Sequence, residues 1–79
     1  MPTITLYGAD WCPDCKRSMA FLDSKNIKYK YINIDHDPKA AEKVAEINKG
    51  LKSIPTIVFQ DGSILVEPSN VELAQKITN

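Results

Sequence analysis

The two cysteines of the sequence, Cys12 and Cys15, are separated by two residues in the segment YGADWCPDCKRSM. This spacing suits three kinds of chemistry: metal coordination, a small structural disulfide, or reversible oxidation to a disulfide. A structural disulfide at this spacing would close a very short loop and would restrain the unfolded chain little. The sequence therefore favours either a redox pair or a metal site.

The metal interpretation needs more ligands than one copy of the chain offers near the cysteines. A structural zinc site uses four ligands, whereas the sequence has two cysteines and a single, distant histidine, His36. We therefore predict no metal site within one chain. A cluster shared between two subunits could still use these cysteines, so a metal- or iron–sulfur-binding carrier stays the alternative function.

Length and charge exclude several other classes of protein. The 79 residues predict one small domain over residues 1–79. Ten basic and ten acidic residues give a formal net charge of zero, so there is no electrostatic argument for binding nucleic acid or a membrane surface. No apolar run approaches the roughly 18 residues of a membrane-spanning helix, and MPTITLYGAD lacks the pattern of a signal peptide. We expect a monomeric, cytoplasmic protein.

The elements that must position the cysteines follow from local patterns. A β-branched run at residues 3–7 predicts a strand that ends at Gly8. Pro13 suits the first position of a helix, and Asn26 suits the left-handed turn that ends one. Apolar residues recur at helical spacing between them, namely Cys15, Met19 and Leu22.

Three further elements come next in the chain. An alternating run at residues 27–35 predicts an edge strand. A helix should begin after an N-cap at Asp37 and end near Gly50. The segment PTIVFQDGSILVEP predicts a hairpin, in which Asp61 and Gly62 form the pair that a type I′ turn prefers.

A last helix opens with a capping box formed by Ser69 and Glu72. The element order is therefore β-α-β-α-β-β-α. The first two strands should be parallel, because a helix joins them in a right-handed crossover. The last two should be antiparallel, so we expect an α/β fold with a mixed four-stranded sheet flanked by helices.

This order places the cysteines where the first strand leads into the first helix. The first turn of a helix has unpaired N–H groups and a partial positive charge, which would stabilise a thiolate at Cys12. The thiolate is the form that attacks disulfides. Cys15 lies one turn further on the same face and should be more buried. We predict that Cys12 is the exposed nucleophile, that Cys15 resolves, and that the two form a redox-active disulfide.

Over nearly its whole length the chain resembles the glutaredoxins and related thioredoxin-fold redoxins. WCPDC follows a strand and opens a helix, and SIPTIVFQDGS resembles the Thr/Ser-Val/Ile-Pro-Thr motif of that family. The short length and the segment NIDHDPKAAEKVAEINKG most resemble mycoredoxin-like bacterial glutaredoxins. The resemblance implies a thioredoxin-like fold, with sheet order 2-1-3-4, and thiol–disulfide oxidoreductase activity.

The same resemblance implies a substrate site around the cysteines. Pro55 would follow a cis peptide bond, leaving the backbone of Ile54 open beside Cys12 for an extended substrate to pair with. The substrate-binding residues expected on this basis are Trp11, Pro13, Asp14, Ile54 and Pro55. The expected partner is a protein disulfide or a mixed disulfide with a small thiol. We expect no bound cofactor.

The chain also departs from the usual glutaredoxin pattern. Asp14 stands where an aromatic residue is common, and Ala9, Asp10 and Trp11 replace an upstream lysine. LVEPSNVE replaces a Gly-Gly-x-x-Asp segment that binds the glutamyl end of glutathione. The electron donor therefore stays open between glutathione, mycothiol, another low-molecular-weight thiol and a thioredoxin reductase.

Overall fold

Strands and helices follow one another in the predicted order. The computed structural model describes residues 4–78, so Thr3, which the sequence places in the first strand, lies outside the described residues. The strands are β1 (Ile4–Gly8), β2 (Tyr29–Asn33), β3 (Thr56–Val58) and β4 (Ile64–Val66). The helices are α1 (Pro13–Ser24), α2 (Pro38–Ile47) and α3 (Asn70–Thr78).

The four strands form one mixed sheet in the order β2-β1-β3-β4, which confirms the predicted fold. β1 pairs with β2 in parallel and with β3 antiparallel, and β3 pairs with β4 antiparallel. Leu6 marks the register, since it lies opposite Tyr31 in β2 and Ile57 in β3. β2 is an edge strand, as predicted, and the cysteines follow a central strand.

The side chains of β1 alternate between two cores, because successive residues of a strand point to opposite faces of the sheet. Leu6 is fully buried in the core that α1 and α3 cover, together with Leu22 and Leu73. Tyr7 packs in the core that α2 covers, against Val44. β1 is therefore held from both faces just before the cysteine segment begins.

The predicted helix caps are present. The carboxylate of Asp37 accepts a hydrogen bond from the backbone N–H of Ala40 at 3.1 Å. The backbone N–H of Ser69 donates to Oε1 of Glu72 at 2.9 Å, and the backbone N–H of Glu72 donates to Oγ of Ser69 at 3.1 Å. Asn26 has a φ of 57° after α1. These local contacts fix where the helices begin and end.

The hairpin between β3 and β4 forms, but the predicted type I′ turn is wrong. That turn needs positive φ at both central residues, whereas Gly62 has a φ of 88° and Asp61 is not in the left-handed region. The N–H of Gly62 donates to the carbonyl of Phe59 at 2.9 Å, and the N–H of Phe59 donates to the carbonyl of Ser63 at 2.8 Å. This is the bonding of a three-residue loop with a bulge at the glycine.

The helices are short: α1 has 12 residues and α2 has 10. Within residues 4–78 no helix has the length and apolar character needed to cross a bilayer. The organisation of residues 1–79 as one domain stays a prediction.

Candidate active site

Cys12 caps the N-terminus of α1 with its sulfur. Its backbone is extended, with φ −82° and ψ 112°, and the backbone N–H of Cys15 donates a hydrogen bond to Cys12 Sγ at 3.1 Å. Ser, Thr, Asp and Asn usually fill this position, because an oxygen acceptor satisfies an unpaired N–H of the first turn. A sulfur takes that role here, so the helix N-terminus points a donor at Cys12, as expected from the sequence.

Both cysteines are buried, which corrects the prediction of an exposed Cys12. Cys15 is 0% exposed and Cys12 is 4% exposed. The two sulfur-bearing residues form a small cluster with Ala9, and Ile54 packs against it. Two contacts account for the burial of Cys12: its side chain turns back over the first turn to cap α1, and Ile54 packs against the cluster. Only a small part of Cys12 is accessible to solvent.

The thiol of Cys15 is held in its protonated form. Burial raises the pKa of Cys15 to about 12, and its hydrogen bond with Cys12 adds to the effect, while a backbone hydrogen bond with Ala9 acts in the opposite direction. Both cysteines are free thiols in the structure. The pair is therefore asymmetric, because Cys15 is fully buried and its thiol stays protonated near neutral pH.

Trp11 directly precedes Cys12, and a hydrogen bond holds its exposed indole. Its Nε1–H donates to Oδ2 of Asp35 at 2.7 Å, while 67% of the residue is exposed to solvent. Asp35 follows β2, and its own N–H donates to Oδ1 of Asn33 at 2.9 Å. Sequence reasoning missed Asp35, because its partner is 24 residues away in the chain.

Tyr31 and Asp10 form a second side-chain contact across the parallel strands. The hydroxyl of Tyr31 donates to Oδ1 of Asp10 at 2.8 Å. Burial raises the pKa of Tyr31 above its ordinary value, and the hydrogen bond and negative charge of Asp10 raise it further. Tyr31 therefore stays a neutral donor that holds this carboxylate in place.

The Ile54–Pro55 peptide bond is cis, as the family resemblance implies. The carbonyl of Pro55 accepts a hydrogen bond from the N–H of Glu67 at 2.8 Å. The buried hydroxyl of Thr56 donates to the carbonyl of Ser53 at 2.7 Å. Contacts on both sides of the proline thus hold this loop against the sheet.

The side chain and the backbone of Ile54 have different surroundings. The side chain packs against the cluster that Ala9, Cys12 and Cys15 form, so this loop lies against the cysteine pair. Within residues 4–78 the backbone N–H and C=O of Ile54 make no hydrogen bond. The site therefore has an unused backbone donor and acceptor beside the two cysteines.

Pro13 and Asp14 are exposed at the start of α1, next to Trp11. Asp14 pairs with Arg17 at 3.5 Å. The guanidinium of Arg17 also donates from Nη2 to the carbonyl of Pro68 at 3.1 Å, which ties α1 to the segment before α3. The sequence around Arg17 does not indicate this contact, because a basic residue that only faces solvent would occupy the same position in the helix.

Within residues 4–78, no group of three or more His, Cys, Asp or Glu side chains is arranged to hold a metal ion. The metal-binding alternative would therefore need ligands from a second copy of the chain or from small thiols.

The glutaredoxin family model matches residues 4–64. A glutaredoxin-like protein of Mycobacterium tuberculosis is 38% identical over 74 residues, which cover 94% of this chain and 88% of the relative. Mycoredoxin 1 of Corynebacterium glutamicum is 35% identical over 77 residues, covering 98% of this chain and 95% of the relative. The crystal structure of glutaredoxin Grx-1 from Archaeoglobus fulgidus superposes with a TM-score of 0.83 at 27% identity, covering 100% of this chain and 89% of that one.

Proposed function

The chain belongs to the glutaredoxin family, and we propose that it is a thiol–disulfide oxidoreductase that reduces disulfides or mixed disulfides through Cys12 and Cys15. One observation carries the proposal: the N–H of Cys15 points at Cys12 Sγ across 3.1 Å at the start of a helix. A helix N-terminus stabilises negative charge, and an attacking sulfur must be a thiolate.

The reaction runs in two exchanges. The Cys12 thiolate attacks one sulfur of the substrate disulfide, and the other substrate sulfur leaves as a thiolate and takes up a proton. Cys15 then loses its proton and attacks Cys12 Sγ, which forms the Cys12–Cys15 disulfide and releases the second substrate thiol. Two electrons pass from the protein dithiol to the substrate. A low-molecular-weight thiol or a reductase supplies two electrons to restore the dithiol, with no bound cofactor.

An extended segment of a partner protein is the substrate that the surroundings of Cys12 support best. The unused N–H and C=O of Ile54 suit pairing with such a segment by strand addition. The exposed indole of Trp11, in the residue before Cys12, offers an apolar surface. Pro13 and Asp14 complete the proposed contact surface. Pro55 is fully buried and contributes only by holding Ile54 in place. A small-thiol mixed disulfide would use the same nucleophile with fewer contacts.

The proposed working form is a cytoplasmic monomer, in which the cysteines stay reduced between turnovers. Glutathione, mycothiol, another small thiol and a thioredoxin reductase remain the candidate electron donors. Reductase assays with each donor in turn distinguish them.

Intact-mass measurement tests the proposed activity against metal binding. After mild oxidation we expect a loss of about two mass units, for the two hydrogens of a dithiol, which a reductant reverses. Cys12→Ser should abolish the change, and a stoichiometric disulfide substrate should produce it. Stable metal or cluster adducts that block oxidation would instead support the carrier function. A protein that neither oxidises nor exchanges with a disulfide would contradict the proposal.

A further inference from the structure

Gly8 differs from the other two glycines of the chain in why the position requires a glycine. Gly50 and Gly62 have positive φ values of 98° and 88°, and a side chain at either would meet open space. Gly8 lies in β1 with an ordinary strand backbone that any residue adopts. A side chain at Gly8 would therefore be excluded by neighbouring atoms and not by the backbone conformation.

Cys15 occupies the space that a side chain at Gly8 would need. A methyl group at Gly8 would lie 2.8 Å from Cys15 Sγ, 3.2 Å from Cys15 Cβ and 3.2 Å from Cδ2 of Leu6. The first distance is shorter than real Cβ contacts allow, whereas ordinary contact begins near 3.4 Å. The sulfur of Cys15 therefore rests directly on the backbone of the central strand.

The backbone at Gly8 has little freedom to move away. Gly8 pairs with Asn33 of β2, and its carbonyl accepts a hydrogen bond from the N–H of Ile34 at 2.9 Å. The start of α1 is held on the other side by the bond from Cys15 N–H to Cys12 Sγ. Any added side chain at Gly8 must therefore displace the sulfur of Cys15.

We propose that Gly8 is a positioning residue, which sets the depth and direction of the Cys15 sulfur so that it reaches Cys12 and nothing else. This inference rests on the proposed function, since it concerns the second exchange. Cys15 is 0% exposed, so an external disulfide cannot reach it. Burial also raises the pKa of the Cys15 thiol, which keeps it protonated near neutral pH.

Gly8→Ala separates the two exchanges in a single-turnover experiment with a chromogenic mixed disulfide. Attack by Cys12 should change less than about threefold, because its cap is untouched. Resolution by Cys15 should slow by about tenfold or more, since a misplacement of about 1 Å can cost an aligned reaction about a hundredfold in rate. Gly62→Ala is the matched control: it strains a left-handed glycine far from the cysteines and should leave both rates unchanged. Equal slowing of both exchanges in Gly8→Ala, or no slowing of resolution, would overturn the proposal.

A stability cycle tests the contact without any catalysis. Gly8→Ala should lower the Tm strongly when Cys15 is present and much less in a Cys15→Ala background, where the sulfur is gone. If Gly8→Ala fails to fold, folding of the Gly8→Ala, Cys15→Ala double variant still supports the proposal. The same loss in both backgrounds contradicts it. A wild-type protein that exchanges no disulfide yet shows this coupling would refute the proposed function and leave the contact established.

Discussion

The backbone N–H of Cys15 and the sulfur of Cys12 form a hydrogen bond of 3.1 Å across the first turn of α1. This bond caps the helix and also points a donor at the sulfur that we propose as the nucleophile. Capping and catalysis can nevertheless be separated, because a serine oxygen is a favourable N-cap acceptor. A Cys12→Ser protein should therefore keep its fold while losing its chemistry.

The two cysteines should have different roles. We expect Cys12→Ser to abolish exchange with a disulfide, whereas Cys15→Ser retains the first attack and accumulates a mixed disulfide on Cys12. Mass spectrometry after one turnover detects that adduct, and thermal unfolding checks that both variants are folded. If Cys15→Ser is as inactive as Cys12→Ser in the first exchange, the assignment of nucleophile and resolving residue is wrong.

Resolution by Cys15 should accelerate with pH. Burial raises the pKa of Cys15 to about 12, so below that value its thiolate fraction rises about tenfold for each pH unit. The rate of resolution should therefore increase with pH, so release of the second substrate thiol should speed up from about pH 7 to about pH 9. The measurement follows release of a chromogenic thiol from the Cys12 mixed disulfide. A rate independent of pH over this range would show that deprotonation of Cys15 does not limit the step.

Asp14 should select against negatively charged substrates. Its exposed carboxylate lies two residues from Cys12 and is only partly balanced by Arg17 at 3.5 Å. We expect Asp14→Asn to raise the exchange rate with glutathione disulfide, an anion, by about twofold to fivefold at low salt. The rate with cystamine, a cation, should fall, and that with neutral hydroxyethyl disulfide should not change. Equal changes for all three probes would exclude a charge effect.

The bond from Trp11 to Asp35 should matter for binding more than for chemistry. Asp35→Ala frees the only tryptophan of the chain, so the fluorescence anisotropy of Trp11 should fall. Ordering a free indole on binding should then raise the KM for a protein disulfide by about twofold to tenfold, with kcat little changed. Asp35→Asn keeps an acceptor and serves as the control. Unchanged anisotropy in Asp35→Ala would show that other contacts hold the indole.

Ser18 should be a site where substitution stabilises the protein. It is 0% exposed in α1, and its Oγ has no hydrogen-bond partner among residues 4–78. Ser18→Ala should raise the free energy of unfolding by about 1 kcal/mol, because it removes an unsatisfied buried hydroxyl and favours the helix. Ser24→Ala is the control, since that exposed hydroxyl donates to the carbonyl of Phe21 at 2.7 Å. Destabilisation by Ser18→Ala would reveal a partner for the hydroxyl.

The features that the sequence predicts correctly depend on short spacings. The cap at Asp37 and the helix start at Pro13 are set by residues within one turn of each other. The cis bond before Pro55 follows from a motif that the family shares. Each of these is readable without knowing which distant segments meet.

The features that the sequence misses depend on contacts between distant segments or on competing local bonds. The partner of Trp11 lies 24 residues away, and no local pattern indicates that distance. The burial of Cys12 depends on Ile54, which the loop before β3 brings to it. At the hairpin, the Oδ1 of Asp61 accepts the N–H of Ser63 at 2.9 Å, a local bond that accompanies the bulged loop in place of a type I′ turn.

The hairpin loop lies at the opposite end of the sheet from the cysteines, because β3 runs antiparallel to β1. Lys76 near the end of α3 joins this end through an ion pair of 2.9 Å with Asp61. Gln60, beside that pair, is exposed. Tethering the molecule to a bead at position 60 would therefore present the cysteine pair to the bulk solution, in an orientation open to disulfides dissolved there.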